Sequence, residues 1–209
     1  MQSDKIRVKS NGDGLENAVR EIEKVTHYAG LEPKQARYLQ LIVEETVGMV
    51  RSITPNFEAL LWVESEGKKF IVNLSSDTQL DIFQREDLLQ KSTSKKNSLA
   101  RGIMGKIRNV FEICATDLNT LDQIDVLKYG VIYGGTQDNI MNAASYTPIW
   151  SLNSYVEGIS DTAQGDEDND EIEEACSELE YSIINSISDE IQVGVSLNKV
   201  QLKIFKSFE

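Results

Sequence analysis

A short basic segment offers the most direct chemistry in this 209-residue sequence, because it places cations beside two glycines at the expected start of a helix. Gly102 and Gly105 occupy that start, and backbone amides at a helix N-terminus, together with the helix dipole, attract anions. Four cations accompany them: Lys95, Lys96, Arg101 and Lys106. The pattern predicts a site for an anionic, phosphate-bearing ligand. The structural alternative is that the glycines only allow close helix packing and the cations form a solvated surface.

The histidine and cysteine residues of the sequence give little support for a metal site or a nucleophilic catalytic site. His27 is the single histidine, which excludes a histidine pair for metal binding or catalysis. Cys114 and Cys176 are far apart in the chain and form no paired motif, so we expect reduced thiols and a cytoplasmic protein. The first residues lack an apolar signal region, and no long apolar run is present, so we expect no membrane partner.

The charge is concentrated in one part of the chain. The net charge is −13, and residues 129–198 contain 14 acidic residues and no lysine or arginine. Bulk nucleic-acid binding is therefore disfavoured, because such binding depends on neutralising phosphates with cations. The exception is the segment 91–108, with six cations and no acid. It could pair with the acidic segment 157–174, an attraction that salt would screen.

The N-terminal half predicts two helices and a hairpin. Apolar residues recur at helical spacing over residues 13–30, where Asn11-Gly12-Asp13 provides a turn and Gly30 a C-terminal cap. Pro33 opens a second helix that Pro55 stops. Strands at 57–63 and 70–74, joined by a turn at 66–69, form the hairpin.

The rest of the chain alternates between irregular and periodic segments. The patterns predict a polar surface loop at 75–96, then a helix at 98–114 and an irregular stretch at 116–155. A mobile acidic loop at 157–170 and a helix at 171–187 follow. The chain then forms a terminal hairpin with strands around 191–195 and 200–204. This order predicts an α+β two-layer sandwich, with a mixed or antiparallel sheet carrying helices on one face.

The predicted organisation has three parts. Residues 1–115 form an α/β core, residues 116–170 are an irregular insertion with the acidic loop, and residues 171–209 supply a helix and the terminal hairpin that completes the core sheet.

One segment of the second helix carries a family resemblance. Residues 41–50, with the sequence LIVEETVGMV, resemble the N-box helix of GHKL ATPases, most closely the anti-sigma-factor serine-kinase branch. In that family the helix carries a glutamate that activates water and, four residues later, an asparagine that holds magnesium. Glu45 and Met49 fall at these positions. The resemblance implies a Bergerat-like fold and ATP as the ligand.

The hairpin that follows resembles the next GHKL motif. There the family has an aspartate that reads the adenine amine and a glycine pair near the nucleotide; here Ser75 holds the aspartate position, and Asp77 and Gln79 hold the glycine positions. Asp77 is an alternative adenine reader. Residues 82–97 would be the lid over the phosphates, and residues 100–107 resemble the glycine motif that opens the following helix.

Three departures bear on what the resemblance implies. The Met49 thioether is a soft ligand, whereas magnesium prefers hard oxygen ligands, so magnesium-dependent chemistry is expected to be weak. The Ser75 hydroxyl brings no charge to an adenine contact. Side chains at Asp77 and Gln79 would crowd a close backbone approach.

Each candidate also has a structural explanation. Glu45 would be part of a solvated helix face, partly shielded at the edge of the apolar stripe. Met49 would fill the core, and Asp77 would be a turn aspartate.

Three hypotheses follow. The first is a non-catalytic regulatory module that contacts another protein, as the anti-sigma members of the resembling family do, with residual nucleotide binding. The second is an active ATP-dependent serine kinase or ATPase with Glu45 as the base. The third is an assembly protein, such as a homodimer, that uses residues 116–190 as its contact surface.

Overall fold

A computed structural model describes residues 1–53, 56–77, 131–133, 148–162, 183–196 and 199–209. Its helices and strands in chain order are β1 (Ile6–Lys9), α1 (Leu15–Tyr28), α2 (Pro33–Ile53), β2 (Glu58–Glu66), β3 (Lys69–Asp77), β4 (Val131–Tyr133), β5 (Pro148–Ser151), α3 (Leu152–Thr162), α4 (Ile183–Ile187), β6 (Glu190–Ser196) and β7 (Lys199–Ser207).

The strands form one seven-stranded sheet in the order β1-β2-β3-β7-β6-β5-β4. Every neighbouring pair is antiparallel. The C-terminal hairpin β6–β7 belongs to the same sheet as the N-terminal strands, and its strand β7 pairs with β3. The chain is therefore an α+β protein with an antiparallel sheet, as predicted.

The two N-terminal helices begin and end where local chemistry requires. Gly30 has φ +67°, and the Gly30 and Leu31 amides donate to the His27 and Thr26 carbonyls, which is the Schellman arrangement that closes α1. Pro33 is the first residue of α2, and the Glu32 amide donates to Gln35 Oε1 at 3.1 Å, which is one of the two hydrogen bonds of a capping box. These boundaries agree with the predicted ones.

One face of the sheet forms the core. Leu61, Leu74, Leu202 and Val193 are consecutive register partners across four strands, and each is at most 1% exposed. Helix α1 contacts β1 and β2, α2 contacts β3 and β7, and α3 contacts β4, β5 and β6. The buried side chains of these helices join the same apolar cluster, so this face of the sheet is the helix-covered face.

The segment before β1 joins the edge of the sheet through a bulge. Gln2 forms an isolated bridge with Glu64, and Ile6 pairs with Leu61, so the three residues 3–5 that precede β1 lie opposite two residues of β2, which is the arrangement of a β-bulge. Within the bulge, the Ser3 amide donates to the Val63 carbonyl and Ser3 Oγ accepts the Val63 amide, both at 2.8 Å. Bulges of this kind discourage pairing with another chain.

Several predictions were wrong in detail. Strand β3 continues to Asp77, so the predicted loop at 75–96 is incorrect for residues 75–77. Helix α3 covers residues 157–162, which were predicted as an acidic loop. The stretch 116–155, predicted as irregular, contributes β4, β5 and the start of α3. Strand β1 was not predicted.

Other predictions lie wholly or partly outside the described residues. The predicted helix at 98–114 lies wholly outside them, and so do the remaining parts of the loops predicted at 75–96 and 157–170. The helix predicted at 171–187 is described only in its last five residues, which form α4 (Ile183–Ile187). Among the described helices, none is long and apolar enough to cross a membrane.

Candidate functional site

Helix α2 turns Glu45 and Met49 toward different surroundings. Glu45 is half-buried, as its place at the edge of the apolar stripe predicted. Met49 is 5% exposed and belongs to the apolar core, which agrees with the core-filling interpretation. Between them, the fully buried Thr46 hydroxyl donates to the Ile42 carbonyl at 2.6 Å, so this turn of the helix satisfies its own buried hydroxyl.

The end of β3 places Ser75 on the opposite side of the sheet from α2. Ser76 is completely buried on the helix-covered face, where its hydroxyl donates to the Glu58 carbonyl at 3.0 Å. Successive residues of a strand point to opposite faces. Ser75, whose register partners are Leu60 and Gln201, therefore lies on the other face. The structure does not bring Ser75 together with Glu45 and Met49.

Asp77 is the last residue of β3 and pairs in register with Lys199. It belongs to a strand rather than to the turn proposed as its structural explanation. The remaining predicted ligand-binding residues lie outside the described part of the chain: Lys95, Lys96, Arg101, Gly102, Gly105 and Lys106. The proposed phosphate site therefore has no described geometry.

A polar cluster that the sequence did not suggest lies at the start of α3. Glu190 Oε1 accepts the Ser151 hydroxyl at 2.7 Å, and Glu190 Oε2 accepts the Asn153 amide at 2.9 Å. Ser151 Oγ in turn accepts the Ser154 amide at 3.2 Å. The two side chains thus satisfy two of the free N–H groups in the first turn of α3.

A second carboxylate fastens the N-terminal segment to α1. Glu21 accepts hydrogen bonds from Lys24 Nζ at 2.7 Å and from the Asp4 amide. The Lys24 hydrogen bond, followed by that of Asp4, lowers the pKa of Glu21 against the opposing effect of burial. Asp4 lies in the β-bulge, where its amide lacks a regular ladder partner, so Glu21 stabilises the bulge.

The face of the sheet opposite the helices carries several large side chains. Trp62, Ile71 and Phe205 are half-buried there, and Leu60 is 40% exposed. Lys5 Nζ lies 4.6 Å from the centre of the Trp62 ring, and the indole N–H donates to Glu64 Oε1 at 2.9 Å. This face is amphipathic and is built from both halves of the chain.

Metal binding finds no support in the described ranges. They contain no group of three or more histidine, cysteine, aspartate or glutamate side chains placed to hold a metal ion.

The Glu190 cluster had only a partial signal in the sequence. Ser151 is a good helix N-cap residue, and Asn153 and Ser154 follow it in the first turn. The irregular pattern around them hid that helix. Nothing local connects Ser151 with a glutamate 39 positions later, because the contact arises from the pairing of β5 with β6.

Comparison with known proteins leaves the family open. No protein-family model matches the chain, and no curated protein or solved structure gives a significant match.

Proposed function

We propose that this chain is a non-catalytic regulatory module that acts through contact with another protein, on a scaffold resembling that of GHKL ATPases. The antiparallel sheet with α1 and α2 on one face is consistent with that scaffold. The anti-sigma members of the resembling family act by partner contact, which motivates a role in regulating transcription.

The observation that carries the proposal is the burial of Met49. In the resemblance this position should supply a hard oxygen ligand for magnesium. Here it is a thioether, only 5% exposed, within the apolar core. A side chain packed in this way favours a structural role over a role in binding a hydrated divalent cation.

The placement of Ser75 supports the same conclusion. An adenine reader and a magnesium ligand must face the same nucleotide. Ser75 lies on the face of the sheet opposite α2, however, so its placement does not support a shared contact of these two positions with one ATP molecule. Magnesium-dependent ATP chemistry is therefore not part of the proposed function.

Calorimetric titration of the full chain with ATP and ADP, with and without magnesium, tests the proposal. We expect no magnesium-dependent binding at millimolar nucleotide. Binding that does not depend on magnesium would keep residual nucleotide sensing within the regulatory role. Tight, magnesium-dependent binding would contradict the proposal.

The alternative, in which the chain is an enzyme, predicts different effects for two neighbouring substitutions in α2. If the chain is a serine kinase or ATPase with Glu45 as the base, Glu45→Ala should abolish ATP turnover. Glu44→Ala, which removes the adjacent exposed carboxylate from the same helix, should preserve turnover. Turnover that follows this pattern would replace the regulatory proposal.

The partner and assembly aspects are tested by affinity capture and light scattering. The tagged chain should capture a protein partner in at least one nucleotide condition. That partner, when it is itself tagged, should in turn capture the chain. Failure to find a stable partner in any condition would count against a contact-based role. A monomer in light scattering would remove the support for a homodimer that uses residues 116–190.

A further inference from the structure

The turn between β1 and α1 contains the only asparagine of the sequence that is followed by glycine. Asn11 is exposed, and Gly12 has φ +97° with nothing within 4 Å of the position that a Cβ atom would occupy. A side chain on the second residue would crowd the approach of its backbone nitrogen to the first side chain, whereas glycine leaves that approach open. The Gly12 nitrogen and the Asn11 side-chain amide are therefore adjacent groups with free space around them.

The side-chain amide of Asn11 is bonded at both ends to Asp13. Its oxygen, Oδ1, accepts the Asp13 backbone amide at 3.0 Å, and its nitrogen, Nδ2, donates to Asp13 Oδ2 at 3.0 Å. When a nucleophile attacks Cγ, negative charge develops on Oδ1, and a backbone N–H already directed at that oxygen stabilises it. The turn thus prepares the Asn11 side chain to be attacked.

One hydrogen bond opposes this attack. The Gly12 amide donates to the Lys9 carbonyl at 3.0 Å, and the amide proton must be lost before the nitrogen acts as a nucleophile. The turn lies at the surface, where local opening requires the least free energy. The reaction therefore starts from turns in which this bond is open, and its rate rises with pH because hydroxide removes the proton.

We propose that Asn11 is a site of self-modification, at which the Gly12 backbone nitrogen displaces ammonia from the Asn11 side chain. The bond between this nitrogen and Cγ forms, and the bond between Cγ and Nδ2 breaks. The Gly12 proton passes through water to the leaving nitrogen, so the products are a cyclic succinimide and ammonia. Water then opens the ring, and no group is oxidised or reduced.

The two ring-opened products affect the turn differently. Opening at Cγ gives aspartate with the original main chain, whereas opening at the other carbonyl gives isoaspartate, in which the main chain runs through the side chain and is one carbon longer. Two backbone hydrogen bonds span this point, from the Lys9 amide to the Asp13 carbonyl at 2.9 Å and from the Gly12 amide to the Lys9 carbonyl. Isoaspartate should break both, and so loosen the junction between β1 and α1.

Mass spectrometry of the full chain, aged at mildly alkaline pH and digested with trypsin, tests the modification. The tryptic peptide 10–20 contains both Asn11 and Asn17. Asn17 is also exposed but is followed by alanine within α1, so it is an internal control. Conversion of amide to acid should be confined to Asn11 and should accelerate with pH. In Gly12→Ala, conversion at Asn11 should fall to the level of Asn17.

Hydrogen exchange tests the effect on the junction. The isoaspartate form, separated by chromatography, should lose protection at the Lys9 and Gly12 amides. Asn11→Asp carries the same new charge without the longer main chain and should keep this protection. Equal conversion of Asn11 and Asn17, or undiminished conversion in Gly12→Ala, would refute the modification site. Full protection in the isoaspartate form would refute the loosening of the junction.

Discussion

At the scale of single residues, Gly14 occupies a position where the tertiary structure allows only glycine. It precedes α1 and has φ +86°, a backbone conformation that residues with a Cβ atom rarely adopt. A Cβ atom at this position would lie 2.0 Å from the Arg7 carbonyl oxygen of β1. The close approach brings the turn at residues 11–14 against the edge of β1, and so connects the first strand to the first helix.

Replacing Gly14 by alanine should therefore destabilise the fold by at least about 3 kcal/mol, because the clash with backbone adds to the cost of the positive φ. Urea unfolding monitored by circular dichroism would measure the loss. Gly12→Ala is the matched control, since Gly12 has φ +97° but open space around it. The control should lose about 1–2 kcal/mol. Equal losses in the two variants would mean that the contact with Arg7 is unimportant.

At the scale of elements, α2 combines a tightly packed face with an exposed face that carries one unfavourable interior residue, Gly48. Ile42, Val43, Thr46 and Val50 are fully buried, so tertiary packing holds this helix in place. Gly48 lies in the helix interior, exposed to solvent, and a Cβ built there would meet nothing within 4 Å. Glycine is unfavourable at such a position because its backbone loses more freedom on folding.

Gly48→Ala should accordingly stabilise the protein by about 0.5–1 kcal/mol, measured as a higher urea midpoint with an unchanged slope. Gly67→Ala provides the opposite control. Gly67 also has open space around it, but its φ of +58° in the β2–β3 turn should make alanine destabilising. A destabilising Gly48→Ala would contradict the prediction, because it would mean that the helix propensity of alanine is outweighed at this position.

At the scale of the whole molecule, one sheet joins distant parts of the chain. Strand β7 lies between β3 and β6, so the C-terminal hairpin connects the N-terminal strands with β5 and β4. The two tryptophans lie on either side of this connection, Trp62 in β2 and Trp150 in β5. A sheet shared in this way should unfold as a single cooperative unit.

The single-tryptophan variants Trp62→Phe and Trp150→Phe should each show a fluorescence transition in urea that coincides with the far-UV circular dichroism transition of the same variant. Each fluorescence signal then reports one side of the sheet, because the sequence contains only two tryptophans. A Trp150 signal that changes at lower urea than the dichroism would show that β5 and α3 unfold separately from the N-terminal part.

The sequence by itself determined α1, α2 and the two long hairpins, because their apolar spacing and their Gly30 and Pro33 boundaries are local signals. Only the tertiary structure decided the short strands β1, β4 and β5, which are too short to carry a periodic pattern and depend on distant partners. It also decided the face on which Ser75 lies, since a shift of one residue in register would reverse it. The Glu190–Ser151 contact likewise required the pairing of β5 with β6, because hydrogen bonding between residues far apart in sequence leaves no local pattern.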